Sequence, residues 1–183
     1  TDISRSNNGV EVQCGDLALQ ADKIVIATPP AQVLQSLRDP NPHEASVFAN
    51  WHENRATTVI HTDTDLYNAW GKPGYTEFDV FAKAGGNDAG YNAYLNRLCG
   101  LPEDHHTHYF LAYNLADRIN PAKILHTQHH CTPLYTSDAY CSIDAIKAHN
   151  GSNNTYFAGA YLYNGLHEGA AQSALSIRDL LLN

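Results

Sequence analysis

Residues Thr155 to Leu182, TYFAGAYLYNGLHEGAAQSALSIRDLLL, constrain the fold more than any other stretch of the chain. A strand-like start runs into Gly159-Ala160, a loop carries Gly165, His167, Glu168 and Gly169, and a long proline-free amphipathic segment follows. A strand that passes through a glycine turn into a helix sets the helix's unpaired N–H groups, and the positive end of its dipole, beside the turn. Such a place suits an anion. The pattern predicts a helix from Gly169 onward with Ala174, Leu175, Ile177, Leu181 and Leu182 on its buried face. Tyr161 and Tyr163 alternate towards one side of the loop, where they either flank a flat ligand or form an aromatic core.

A second signal lies near the other end. Ile24-Val25-Ile26-Ala27 is a continuous apolar run that reads as a fully buried central strand. Thr28-Pro29-Pro30 ends it, at what is the usual ligand edge of an α/β sheet or a plain strand stop. Before it, Val10 and Val12 alternate against Leu17 and Leu19 around Gly15-Asp16, a hairpin signal. A short helix is expected over Ala31–Leu37, with proline at its start, and another over His43–Trp51. From Arg55 the texture changes to segments rich in Thr, Tyr, Val and Phe: RATTVIHTD, EFDVFAK, AYLNRL, HYFLAYN and ILHTQHHC. They predict a mostly antiparallel sheet of five strands. Ser137 caps a predicted helix that runs to His149, with Asn150-Gly151 ending it. The class is therefore α/β, in a mixed α+β form: the two ends build one layered domain, 1–40 with 151–183, and residues 41–150 form a second domain inserted into it.

Composition removes several function classes. With 11 Lys+Arg against 19 Asp+Glu the formal charge is −8, which speaks against nucleic acid or an anionic membrane surface as partner. No apolar window is long enough for a membrane span. No secretion signal opens the sequence, and the four cysteines form no CxxC pair, so reduced thiols and a cytoplasmic location are expected. The sequence starts at Thr1 and contains no methionine. It reads as part of something longer. Six of the 11 histidines gather in two knots, His105-His106-His108 and His126-His129-His130 with Cys131. The knots raise the alternative of a histidine-rich metal-binding protein, but zinc-finger spacing is absent and no metal ligand is assigned.

ADKIVIATPPAQVLQSL and the C-terminal stretch together resemble flavin-containing amine oxidoreductases, and in particular a bacterial branch of FAD/NAD-binding oxidoreductases. Further matches to that branch follow in order: Val59 to Asp63 with Leu66; Tyr94 to Leu98; Asn114, Ile119, Pro121 and Ile124; then Phe157 to Tyr161, Tyr163, Gly165, His167, Glu168, Ser173 and Leu175. The resemblance spans nearly the whole chain and corresponds to the C-terminal portion of those proteins. It implies part of a Rossmann-like FAD domain with an inserted substrate domain, and hydride transfer from a C–N or C–C bond to FAD. Thr28, Pro29, Gly159, Ala160, Gly165, His167, Glu168, Gly169 and Ala170 would then lie against the cofactor. His61, Asp63, Asn96, Arg97, Tyr161 and Tyr163 would line the pocket of a small-molecule substrate. Read from residue type alone, His61, Asp63 and Asn96 serve equally as half-buried structural polar groups, and Arg97 as half of an ion pair.

The sequence departs from the branch at His167-Glu168-Gly169-Ala170, where an Asp is missing and the glycine comes early. The dinucleotide fingerprint G-x-G-x-x-G is absent from these residues; in the family it lies nearer the N-terminus. FAD binding therefore calls for a missing N-terminal half, or a homo-oligomer. The competing reading is a truncated, non-catalytic flavoprotein-like module.

Overall fold

A computed structural model describes residues 1–71, 74–82, 89–102 and 104–182. The chain divides into two compact units, Thr1–Asn54 with Thr132–Asn183, and Arg55–Cys131.

In the first unit, β1 (Asp2–Ser6), β2 (Gly9–Cys14) and β3 (Leu17–Ala21) form an antiparallel sheet in that order. Cys14 pairs with Leu17, so the Gly15-Asp16 turn is the hairpin the alternation predicts. A separate parallel pair joins β4 (Ile24–Ile26) to β10 (Thr155–Phe157), with Ile26 opposite Phe157. Helix α1 (Val33–Ser36) follows a 3-10 turn at Pro30–Gln32, and α2 (Pro42–Phe48) carries a capping box between Asn41 and Glu44. Helix α4 (Ser137–His149) is capped by Thr136, not Ser137: the Thr136 hydroxyl accepts from the Ala139 N–H. Helices α2 and α4, which the sequence assigns to the middle segment, belong to this first unit.

The core of this unit joins Ile3, Val10, Ile26, Phe48, Ile143 and Phe157 among others. Side chains alternate along β10, so Phe157 enters this core while Tyr156, with Ala158 just beyond the strand, meets Ile177 of α5 (His167–Leu182) on the opposite face. Two expectations change here. Helix α5 buries Gly169, Ser173 and Ile177, whereas Leu175, Leu181 and Leu182 are exposed. The buried seam runs at i, i+4, i+8 because it must reach over the loop and β10; the leucines lie off that line. Likewise Val25 is 44% exposed, so β4 is not a fully buried strand. Helix α5 covers Tyr156 of β10, and β4 lies one strand further out.

In the second unit the sheet order is β6 (Phe78–Ala82), β7 (Ala89–Tyr94), β8 (Phe110–Tyr113), β5 (His52–His61), β9 (Ile124–Leu134). Pairs β6–β7, β7–β8 and β8–β5 are antiparallel. The strand expected through AYLNRL stops at Tyr94, and Leu95–Leu98 turns into the short helix α3. The core holds Val59, Tyr67, Phe81, Phe110, Leu115 and Ile119.

The first unit is tied by one charge. The Arg5 side chain is 2% exposed, and its guanidinium meets both Glu44 oxygens, at 2.6 and 2.8 Å. It also donates to the Asp39 carboxylate and carbonyl and to the Thr155 hydroxyl. Burial alone would favour the neutral guanidine, but Glu44 and Asp39 outweigh it and raise the Arg5 pKa. Removing one partner leaves buried charge uncompensated. Glu44→Ala is therefore expected to cost about 3 kcal/mol in urea unfolding, against under about 1 kcal/mol for Glu77→Ala in the exposed Arg97–Glu77 pair.

Candidate functional site

Parallel pairing brings the first group of candidate residues together. Because β4 and β10 run in the same direction and in register, Thr28-Pro29 and Gly159-Ala160 leave the same, carboxyl edge of the pair. The Ala158 N–H reaches back to the Ile26 carbonyl at 3.0 Å and fixes this juxtaposition. Thr28 is exposed, and Pro29, Gly159 and Ala160 are half-buried.

Beyond Gly159 the loop closes on itself. The Gly159 N–H donates to Ser173 Oγ of α5 at 2.7 Å, and the Gly165 N–H to the Ala160 carbonyl at 2.9 Å. Gly159 has φ +151°, and a Cβ there would meet the Tyr161 ring at 2.7 Å. Gly165 has φ +75°, and a Cβ there would meet the Tyr135 hydroxyl at 2.8 Å. A Cβ on Gly169 would strike Asn164. These glycines are thus required by the packing of the loop itself. At the start of α5, His167, Glu168 and Ala170 are exposed while Gly169 is buried. The Ala170 N–H is bonded to the Leu166 carbonyl, but among the described residues the N–H groups of His167, Glu168 and Gly169 have no acceptor. Glu168 lies in this first turn, where its carboxylate complements the helix dipole, and takes a bond from Gln172.

Next to this loop is a cavity of about 550 Å³ between α4 and α5, lined by Tyr135, Tyr140, Lys147, Tyr163, Asn164 and Gln172. Lys147 Nζ sits 3.9 Å from the Tyr163 ring centroid, a close cation–π contact. The Tyr163 hydroxyl pairs with Ser176. Tyr161 points inward instead: it is 3% exposed, packs edge-on against Trp51, and its hydroxyl has no partner. Burial raises the pKa of that phenol.

The other four candidates lie in the second unit. His61 and Asp63 are fully enclosed, at 0% and 2% exposure. His61 Nδ1 accepts from the Asp63 N–H at 3.1 Å, so its proton is on Nε2, which donates to Asn92 Oδ1 at 2.9 Å. Asn92 Nδ2 donates to the Tyr67 hydroxyl, which donates to Asp79. Burial lowers the His61 pKa, and every bond in this chain suits the neutral ring. Burial opposes ionisation of Asp63 too, but the N–H groups of Asn120 and Asp65, with Lys123, prevail and hold its carboxyl below the usual range. Asn96, 3% exposed, brackets its neighbouring loop by donating to the Thr107 carbonyl and accepting from the Tyr109 N–H. Arg97 is exposed and pairs with Glu77 at 3.3 Å. The structure thus joins His61 to Asp63 in a closed polar network and gives Asn96 and Arg97 separate structural partners.

Sequence reasoning missed Asn92, Tyr67, Asp79 and Lys147. Asn92 carried a signal, a polar residue on the inward phase of β7. The histidine knots are spoken for in part: His129 and His130 bond Thr57 and Thr58, and His108 bonds Tyr94. Among the described residues no group of three His, Cys, Asp or Glu side chains could hold a metal ion. No helix among them is long and apolar enough to cross a membrane.

No family model and no curated protein matches the sequence. Solved structures do share its fold. A CLA-producing fatty acid isomerase from P. acnes matches with a TM-score of 0.66 and 14% identity, over 100% of this chain and 46% of that one. Cyclohexylamine oxidase from Brevibacterium oxydans matches at 0.61 and 14%, over 100% and 48%. Putrescine oxidase matches at 0.60 and 9%, over 100% and 48%. The chain therefore spans less than half the length of these proteins, and its fold is that of their corresponding portion.

The unpaired Tyr161 hydroxyl gives a direct check on the loop. A buried hydroxyl without a partner costs stability. Tyr161→Phe is expected to leave the unfolding free energy unchanged or raise it by up to about 1 kcal/mol, measured by urea denaturation without added ligand; a loss of that size would show a bonded hydroxyl.

Proposed function

We propose that this chain contributes the C-terminal part of an FAD-dependent oxidoreductase of the amine oxidase type. One observation carries the reading: the carboxyl edge of a parallel strand pair, closed by Thr28-Pro29 and Gly159-Ala160, opens into a loop and a helix whose first-turn N–H groups lack protein acceptors. The likeness of fold to cyclohexylamine oxidase and putrescine oxidase supports it.

The residues present fit a flat, partly anionic group. The N–H groups of His167, Glu168 and Gly169 would meet its negative edge, and Gly159-Ala160 with Thr28-Pro29 would border its phosphate or ribityl side. When bound, the flavin supplies the acceptor for hydride taken from a C–N or C–C bond of a small substrate. Tyr163 and Lys147 would contribute an aromatic and cationic wall to the adjoining cavity. The pyrophosphate would be held by a complementary half bearing the dinucleotide fingerprint, on the same polypeptide or another. Val25, Leu175, Leu181 and Leu182 are the exposed apolar side chains such a half would cover.

The test is the absorbance spectrum of the native gene product, purified without added cofactor. Flavin bands that bleach on chemical reduction are the expected result. A colourless product that takes up no FAD on incubation and desalting would overturn the reading and leave a non-catalytic module.

A further inference from the structure

Helices α2 and α4 meet at two imidazoles tilted 33° to one another. His43 of α2 and His149, the last residue of α4, have ring centroids 4.3 Å apart. The bonding around them fixes both tautomers. His43 Nε2 lies 3.3 Å from the Ala145 carbonyl, which only accepts, so that nitrogen carries the proton. His149 Nε2 lies 3.1 Å from Asn41 Nδ2. The Asn41 amide cannot be turned around at no cost, because its Oδ1 is the N-cap acceptor for the Glu44 N–H at 2.9 Å. Asn41 therefore donates and His149 Nε2 accepts, which leaves His149 neutral with its proton on Nδ1.

We propose that Asn41 and His149 form a pH-sensitive latch on the N-terminus of α2, closed while His149 is neutral and released when it takes a proton on Nε2. A protonated Nε2–H would point at the Asn41 amide hydrogens. Relief requires either the amide to flip, which takes the cap from Glu44, or the ring to leave. The flip loosens the first turn of α2, the turn that holds Glu44 against Arg5. The charged and titratable groups facing His149 are His43 and Glu44 of α2 and Arg5 of β1. Glu44 would welcome the proton, but its carboxylate is bonded to Arg5 and to the Asn41 N–H. Arg5 and a charged His43 would repel it.

Burial first, and then His43, lower the His149 pKa from the ordinary value of 6.5. A histidine depressed in the folded state contributes stability that is present above 6.5 and is lost as the pH falls through that value towards the folded one. His61 titrates with the same sign, so global unfolding cannot isolate the latch. Local exchange can.

The experiment is hydrogen exchange of the Glu44 and Ala45 amides between pH 7.5 and 5.5, corrected for intrinsic rates, with the ¹⁵N shifts of the His149 ring. Protection of both amides should fall on acidification, by up to about tenfold per pH unit, the ceiling for one proton. The ring should show the Nδ1–H tautomer at neutral pH. His149→Gln should flatten the pH dependence. Asn41→Asp should reverse it, because a carboxylate still caps α2 but accepts from protonated His149. An Nε2–H tautomer at neutral pH, or an unchanged pH dependence in Asn41→Asp, would overturn the proposal. These two readouts decide it even if His149→Gln fails to fold.

Discussion

The Arg5 guanidinium is the constraint around which the first unit is arranged. A charge at 2% side-chain exposure is tolerable only when its hydrogens are met. Glu44 meets it from α2, Asp39 from the preceding turn and Thr155 from the start of β10. Each acceptor is itself placed by local structure: Glu44 by the Asn41 capping box, Thr155 by pairing with Ile24. The hub sets where α2 lies against the hairpin, and where β10 begins. From β10 onward the loop and α5 follow as a single run.

That run is held from inside. Gly159, Gly165 and Gly169 are each demanded by a neighbouring side chain, and Ser173 ties the helix back to the strand exit. The result is a turn whose shape is set by its own side chains, with the first-turn N–H groups of α5 beside it. The two-stranded parallel sheet beneath it is unusual standing alone, since parallel strands are ordinarily covered on both faces. Val25 of β4 and Leu175, Leu181 and Leu182 of α5 stay exposed, and the chain spans less than half the length of the proteins that share its fold.

Local signals made much of this architecture legible. The turn at Gly15-Asp16, the proline that opens the 3-10 turn before α1, the five strands between His52 and Leu134 and the glycine loop into α5 all follow from periodicity and turn chemistry. Partnership was not legible. Val25 and the α5 leucines read as core because a sequence states what is apolar and not what covers it. His61 and Asp63 read as pocket-lining or structural polar residues, but their partners come from β7, the turns near Asn120 and the segment around Tyr67, at separations no spacing rule reaches. Arg5 went unnoticed for the same reason: its acceptors lie 34, 39 and 150 residues away.

The discontinuity of the first unit has a consequence for synthesis. Its core joins Ile3 and Val10 to Phe157 and Leu162, whereas residues 55–131 are continuous in sequence. On a ribosome the continuous unit has all its strands while the discontinuous one still lacks the core residues from Ala139 onward. At roughly 5 to 20 residues per second, the hairpin and α2 wait several seconds for β10. During that interval Arg5 and Glu44 can pair, but Thr155 does not yet exist. The N-terminal segment must therefore stay unaggregated as a hairpin with an open apolar face, and the charge on Arg5, still solvated, helps to keep it so.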